Sequence, residues 1–361
     1  MSDSEQLSNI RDEIDSLDQQ IQQLINQRAA CAQEVARIKQ AADPEDTCFY
    51  RPEREAEVLR KVQARNRGPL DSEEMARLFR EIMSACLALE QPLNVAFLGP
   101  EGTFTQAAAL KHFGHSVSTK PLASIGDVFR EVEAGSVDFG VVPVENSTEG
   151  VISHTLDLFF NSPLSICGEV ILRIHHNLLG TERSWQQAEK VYSHQQSLAQ
   201  CRRWLDQNLP NAERIAVTSN AAAAQIAADE GSVAIASSEA AALYKLCVHE
   251  QNIEDEPCNT TRFLIIGQQQ SGVSSDDKTS LLLATKNEAG GLYRLLTPFA
   301  EQGISMSRIE SRPSRRGIWD YVFFIDIIGH QQDPAVRKAL QQLDQESSMC
   351  KILGSYPAAV L

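Results

Sequence analysis

The sequence has no C-x-x-C pair and no cysteine–histidine spacing suited to a metal. Its eight cysteines, Cys31, Cys48, Cys86, Cys167, Cys201, Cys247, Cys258 and Cys350, are scattered along the chain. Such scatter favours free thiols in a reducing compartment over a disulfide framework or a structural metal site. The first 30 residues are polar and acidic, unlike a secretory signal. No apolar run approaches the roughly 20 residues of a membrane span. A cytoplasmic chain is therefore expected. Basic side chains are also scarce: 33 Lys and Arg face 48 Asp and Glu, a net charge of -15. That balance argues against a general nucleic-acid binder, which needs a basic face, and gives no attraction to an anionic membrane. The G-x-G-x-x-G fingerprint of dinucleotide sites is missing too.

What is present is an ordinary globular composition over 361 residues, with 42% hydrophobic and 22% charged side chains. This length suits two or three domains with sizeable cores.

Apolar residues recur at Leu7, Ile10, Ile14, Leu17, Ile21, Leu24, Cys31, Val35 and Ile38, with spacings that follow a heptad seam. One helix of about 35 residues would be ~50 Å long and cannot bury its own seam. A dimer is the simple solution. Arg28 occupies the seam, where a guanidinium is costly unless paired. It is either a register-setting residue bonded to a partner helix or the grip on an anionic ligand. Lys39 falls on the same face, 11 residues on and about 20° around. Arg11 lies about 25 Å from Arg28 along the axis, so it could share a small-ligand site only across a subunit boundary.

Pro44 and the polar run Asp43–Thr47 break this helix. A shorter one carries Val58, Leu59 and Val62, and a third, capped by Asp71 or Ser72, carries Met75, Leu78, Phe79, Ile82, Met83 and Cys86. Glu90 continues that last stripe, either as a helix-end surface residue or as part of a buried site.

Residues 1–91, through Arg11, Arg28, Lys39, the Arg54-Glu55 pair and the helix ending at Glu90, resemble the all-helical chorismate mutases. The resemblance implies a site shared by two interlocked subunits. Arg28 and the other subunit's equivalent of Arg11 would hold two carboxylates. Lys39 would donate to the ether oxygen, and Glu55 would orient the ring hydroxyl. Cys86 stands where a serine can touch a carboxylate. Glu90 stands where some members have a glutamine donor and others a glutamate. A carboxyl can donate only when protonated, so mutase activity is expected to rise as pH falls through the Glu90 pKa. The reaction is a pericyclic rearrangement, needing neither nucleophile nor cofactor. Holding a compact conformer and stabilising charge on the ether oxygen suffice.

From 93 to about 270 strands and helices alternate, predicting a mostly parallel sheet with covering helices and a ligand crevice at the strand tips. The turn Gly99-Pro100-Glu101-Gly102-Thr103-Phe104 between strand and helix is either an anion site or a plain turn. Together with Val142-Pro143-Val144-Glu145-Asn146-Ser147, Ser193-His194-Gln195, Gln200-Cys201 and Thr260-Thr261-Arg262-Phe263, it resembles prephenate dehydratase. The implied fold is two α/β subdomains around a cleft, like type II periplasmic binding proteins. Thr261 matches the family's essential threonine and would help the C4 hydroxyl leave. Arg262 either binds a carboxylate or pairs with an acid, and Phe263 packs the substrate ring or the core. Thr103, Asn146 and Ser147 would hold substrate, with Glu145 and Gln200 as further candidates. Loss of hydroxide and carbon dioxide makes an aromatic ring, so little proton management is required. His194 is read as structural, and His175-His176 as no metal site.

After the polar stretch 268–278, residues 278–361 read as βαββαβ, a ferredoxin-like layer. Gly290-Gly291-Leu292-Tyr293 and Glu310-Ser311-Arg312-Pro313 resemble the two phenylalanine-binding motifs of ACT regulatory domains, with Gly291 at a position usually occupied by alanine. In that family phenylalanine sits between paired domains, and its binding biases activity. The whole is identified as a member of the bifunctional chorismate mutase/prephenate dehydratases, a homodimer or larger. Chorismate and prephenate are its expected substrates, phenylalanine its inhibitor, and no cofactor is expected. Two other readings are an amino-acid sensor whose catalytic modules have decayed, and a solute-binding protein with a helical dimerisation arm. The second predicts export, against the missing signal peptide.

Overall fold

The computed structural model describes residues 3–42, 49–181, 185–285, 288–313 and 321–361. The expected helix break at 43–47, and Cys48, lie outside them. Among the described residues the other seven cysteines form no disulfide.

The first module has three helices: α1 Asp3–Ala42, α2 Pro52–Arg65 and α3 Ser72–Ala88. Pro52 opens α2, where its missing N–H costs nothing. The Asp71 side chain caps α3 by accepting from the Glu74 amide. α2 and α3 pack through Leu59, Ala76 and Met83. α1 is different, because along its 40 residues only Ala36 is buried. Its seam faces solvent, with Leu17 49% and Leu24 63% exposed. A helix of this length with an uncovered apolar stripe requires another surface.

The α/β module runs β1 Asn94–Leu98, α4 Phe104–Phe113, β2 Ser118–Leu122, α5 Ile125–Glu133, β3 Phe139–Asn146, β4 Gly150–Val151, α6 Ser153–Phe159 and β5 Ser165–Arg173. The chain then crosses to a second lobe: β6 Asn177–Gly180, β7 Lys190–His194, α7 Gln195–Gln200, α8 Arg202–Asn208, β8 Glu213–Val217, α9 Asn220–Glu230, β9 Val233–Ala236, α10 Ser238–Tyr244 and β10 Cys247–Glu250. It returns as β11 Thr260–Gly267. The two sheets are ordered β2-β1-β3-β11-β5, with β4 on β3, and β10-β6-β9-β7-β8. Two lobes and a cleft are as expected, but the sheets are mixed rather than mostly parallel. β11 enters the first sheet from the returning crossover and so runs antiparallel to both β3 and β5. β6 is likewise antiparallel to β9 and β10. Strand-and-helix alternation fixes the elements but not the direction of a strand that comes home from another lobe.

The last module is β12 Asp277–Thr285, α11 Gly291–Glu301, β13 Met306–Pro313, β14 Tyr321–Ile328, α12 Pro334–Glu346 and β15 Met349–Pro357, in the sheet order β13-β14-β12-β15. Both faces of this sheet are covered. Leu281, Leu283, Phe323 and Ile325 pack beneath α11 and α12. Their alternates Leu282, Val322 and Phe324 join the core of the first dehydratase-like sheet. That explains an apolar run in β12 without polar alternation. Gly354 marks the join: its φ is +156°, and a Cβ there would meet the Ile166 carbonyl oxygen of β5 at 2.2 Å. Gly114, with φ +76°, marks the other join, where a Cβ would fall 2.5 Å from Ser84 of α3.

Candidate functional site

Two groups of chemistry-bearing side chains assemble. The first lies where α1 meets α3. Ile25, Arg28, Ala29, Ala32, Ala36 and Lys39 form the less exposed face of α1, so Arg28 and Lys39 share a face as their spacing predicts. The Lys39 ammonium sits 5.7 Å from the centre of the Phe49 ring. Glu90, half-buried past the end of α3, lies within the field of both cations. Burial pushes its carboxyl pKa up, while Lys39 and Arg28 pull against that rise. Cys86 is buried on α3, 3% exposed.

Glu55 lies beside this group, within the field of Arg28. Its carboxylate pairs with Arg80 at 2.6 Å, both side chains being nearly closed off from water. Arg80 also donates to the carbonyl of His112 at the end of α4. Burial raises the Glu55 pKa, opposed by Arg80 and then Arg28. Sequence reasoning missed Arg80, and a charge among the apolar positions of α3 was the available signal. Arg54, the neighbour of Glu55, is exposed on α2, because adjacent helix positions point about 100° apart. Arg11 is exposed far along α1.

The second group lines a cleft of about 710 Å³ between the two α/β lobes. Thr103, Asn146, Gln200, Thr261 and Phe263 of the expected set are there, along with His194. The Thr103 hydroxyl donates to the Leu98 carbonyl at 3.2 Å, at the N-cap of α4. Asn146 and Thr261 are direct partners across β3 and β11. The Asn146 amide donates to the Thr261 hydroxyl oxygen at 2.8 Å. Among the described residues, no Lys or Arg lines this cleft. An anion entering the cleft would meet neutral donors and the N-terminal ends of α4 and α9, at Thr103 and Ser219. Asn259 and His176 also line the cleft; Asn259 was not singled out from sequence, and His176 was weighed only as a metal ligand. Neither lies in a recognisable motif.

Three expected substrate contacts are placed away from this lining. Arg262 follows Thr261 and so faces the other side of the sheet. It pairs with Glu169 at 2.8 Å and Asp326 at 2.5 Å, and donates to the Tyr356 hydroxyl at 2.9 Å. The acid-pairing alternative describes it. Glu145, also out of phase with Asn146, pairs with Arg308 of β13 at 3.0 Å. The Ser147 hydroxyl accepts from the Thr260 amide at 2.9 Å, a local strand-end bond. The stretch from Gln195 to Asn208 is two helices, α7 and α8, broken at Cys201 with φ -112°. Among the described residues no cluster of His, Cys, Asp or Glu is placed to hold a metal ion.

In the last module the two motifs lie toward the same end of the sheet. Thr285 pairs with Tyr321, and Tyr321 with Pro313. Gly290, with φ +78° in the left-handed region, starts α11. Gly291 is buried, Leu292 exposed, Glu310 half-buried and Ser311 exposed. Arg312 pairs with Asp157 of α6 at 3.3 Å.

Comparison with known proteins agrees with this division. Residues 10–91 match the family model chorismate mutase type II, 95–271 match prephenate dehydratase, and 279–345 match the ACT domain. A bifunctional chorismate mutase/prephenate dehydratase of Stutzerimonas stutzeri is 59% identical over 365 residues, covering 100% of both chains. One of Pseudomonas aeruginosa is 56% identical over 365 residues, again covering 100% of both. Among solved structures, prephenate dehydratase in complex with L-Phe from Arthrobacter aurescens is 33% identical with a TM-score of 0.68, covering 73% of this chain and 90% of that one. With full-length identity of this order, the chain belongs to the family of bifunctional chorismate mutase/prephenate dehydratases.

Proposed function

We propose that the chain is a cytoplasmic, homodimeric enzyme that rearranges chorismate to prephenate, converts prephenate to phenylpyruvate, and is slowed by L-phenylalanine. The observation that carries the second activity is the Asn146–Thr261 hydrogen bond at 2.8 Å inside a cleft with no lining cation. As the carboxyl group leaves as carbon dioxide, its bonding electrons complete the aromatic ring. The C4 hydroxyl departs as hydroxide, hydrogen-bonded by the Thr261 hydroxyl and protonated by solvent, and hydrogen-bond donors in the cleft hold the remaining carboxylate.

For the rearrangement, Arg28 and Lys39 of one chain and Arg11 of a second would grip the dianion, with Arg54 and Cys86 as further contacts. Lys39 and a protonated Glu90 would stabilise charge on the breaking ether oxygen. Glu55 would orient the ring hydroxyl. The exposed seam of α1 supports pairing of two chains. Gly290, Gly291, Leu292 and the Glu310–Pro313 motif would receive phenylalanine, supported by their shared end of the sheet and by the L-Phe complex of the Arthrobacter aurescens relative. Incubating purified protein with chorismate alone tests all three parts. Prephenate should appear first and phenylpyruvate after it, and phenylalanine should slow the second product. Absence of either product removes that activity.

A further inference from the structure

We propose that Asn259 and His176 are positioning residues of the dehydratase. With Asn146 and Gln200 they form a hydrogen-bond chain of fixed direction, which makes the Thr261 oxygen an acceptor and leaves its proton for the departing hydroxyl of the substrate. The proposal rests on the reading that Thr261 assists that departure.

The direction is set at two backbone amides. Asn146 Oδ1 lies 2.9 Å from the Thr148 nitrogen and 3.0 Å from the Glu149 nitrogen. Backbone N–H groups only donate, so the acceptor end of Asn146 is assigned without ambiguity. Its Nδ2 then has two hydrogens, one to Thr261 Oγ1 at 2.8 Å and one to Asn259 Oδ1 at 3.0 Å. Asn259 is thereby oriented, and its Nδ2 donates to Gln200 Oε1 at 3.2 Å. The same Oε1 lies 2.8 Å from His176 Nε2, which must therefore carry the ring proton.

The far end is rigid. His176 is 1% exposed, stands edge-to-face on Phe104 at 5.7 Å, and has its backbone amide held by Glu254 at 2.9 Å. Its Nδ1 is buried without a hydrogen-bond partner among the described residues, so no acceptor there competes with Gln200 Oε1 for the ring proton. Burial also holds its pKa below the usual range, keeping the ring neutral. Gln200, fixed through its oxygen, keeps its Nε2 hydrogens for a carboxylate. A cleft without Lys or Arg thus obtains aligned donors from a relay of neutral amides.

The test compares Asn259→Asp, which keeps the shape but cannot donate when ionised, with His176→Leu and His176→Gln. Prephenate formation by the same chain is the folding control. Asn259→Asp should lower kcat for phenylpyruvate on the order of 100-fold, a cost typical of a misplaced reacting group, with KM for prephenate little changed. His176→Leu should lower kcat about 10-fold, and His176→Gln, whose amide still donates, should recover most of it. Nitrogen-15 NMR should place the His176 proton on Nε2 in the parent and on Nδ1 in Asn259→Asp. A parental proton on Nδ1, or parental kcat in Asn259→Asp, overturns the proposal. If Asn259→Asp loses both activities together, the parental tautomer and the His176 pair decide. If Thr261→Val still makes phenylpyruvate, the reading of Thr261 fails instead.

Discussion

On the proposed function, the helical site and the cleft answer the same problem, a small dianion, in opposite ways. The helical site uses full charges, Arg28 and Lys39, on a helix whose other faces lie in water. The cleft uses no lining cation, and its donors are amides and a hydroxyl locked to one another between two packed lobes. A cation reaches its ligand through solvent and tolerates a loose frame. A neutral donor is worth having only when its geometry is fixed. On the proposed reading, the first site depends on assembly and the second is complete within one chain.

That contrast can be broken most directly at Thr261. Thr261→Val should lower phenylpyruvate formation by roughly 1,000-fold, the upper cost of deleting one donor at a developing anion, with prephenate accumulating from chorismate. Arg28→Ala should cost about 100-fold in mutase kcat/KM and spare dehydration of added prephenate; equal losses in both assays would erase the distinction. Next in size is Leu17→Glu on the open seam. Light scattering should show smaller particles, and mutase activity should fall about 10-fold as a buried charge opposes pairing, while dehydratase activity holds.

Glu90 sharpens the comparison through pH. Its folded pKa is raised by burial, so the donating, protonated form persists below that raised value and is lost as pH climbs through it. Mutase activity should decline on the alkaline side, and Glu90→Gln, which cannot ionise, should remove that decline. An unchanged profile ends the assignment. The smallest effect is expected at Asp157, partner of Arg312. Asp157→Asn should shift the phenylalanine concentration for half-inhibition by about threefold, on the scale of a partly exposed ion pair, without altering uninhibited rates.

Periodicity and capping residues carried much of the fold. The long α1 and the Asp71 cap needed only local rules, as did the ferredoxin-like order of the last module. Strand direction did not follow, because β11 pairs with β3, more than 100 residues earlier in the chain. The site was legible where a motif put a chemical group on the right side of a strand, as with Asn146 and Thr261. It failed one residue away: Glu145 and Arg262 belong to the same motifs but face the opposite side, and the pleat decides which neighbour enters the cleft. Asn259, His176 and Arg80 were missed for another reason. Their importance lies in contacts across 59, 24 and 32 positions of sequence, which no local pattern encodes.

The two-sidedness of β11 carries a mechanical consequence. Thr261 and Arg262 are consecutive, with Cα atoms about 3.8 Å apart. Arg262 is gripped by Asp326 and Tyr356 of the regulatory sheet. Under the proposed feedback, no long wire and no shutter over the cleft is needed. A slip of that sheet by a fraction of an ångström, tugging on one guanidinium, would detune the hydroxyl beside it. Such a device works as a throttle: turnover drops while prephenate still binds.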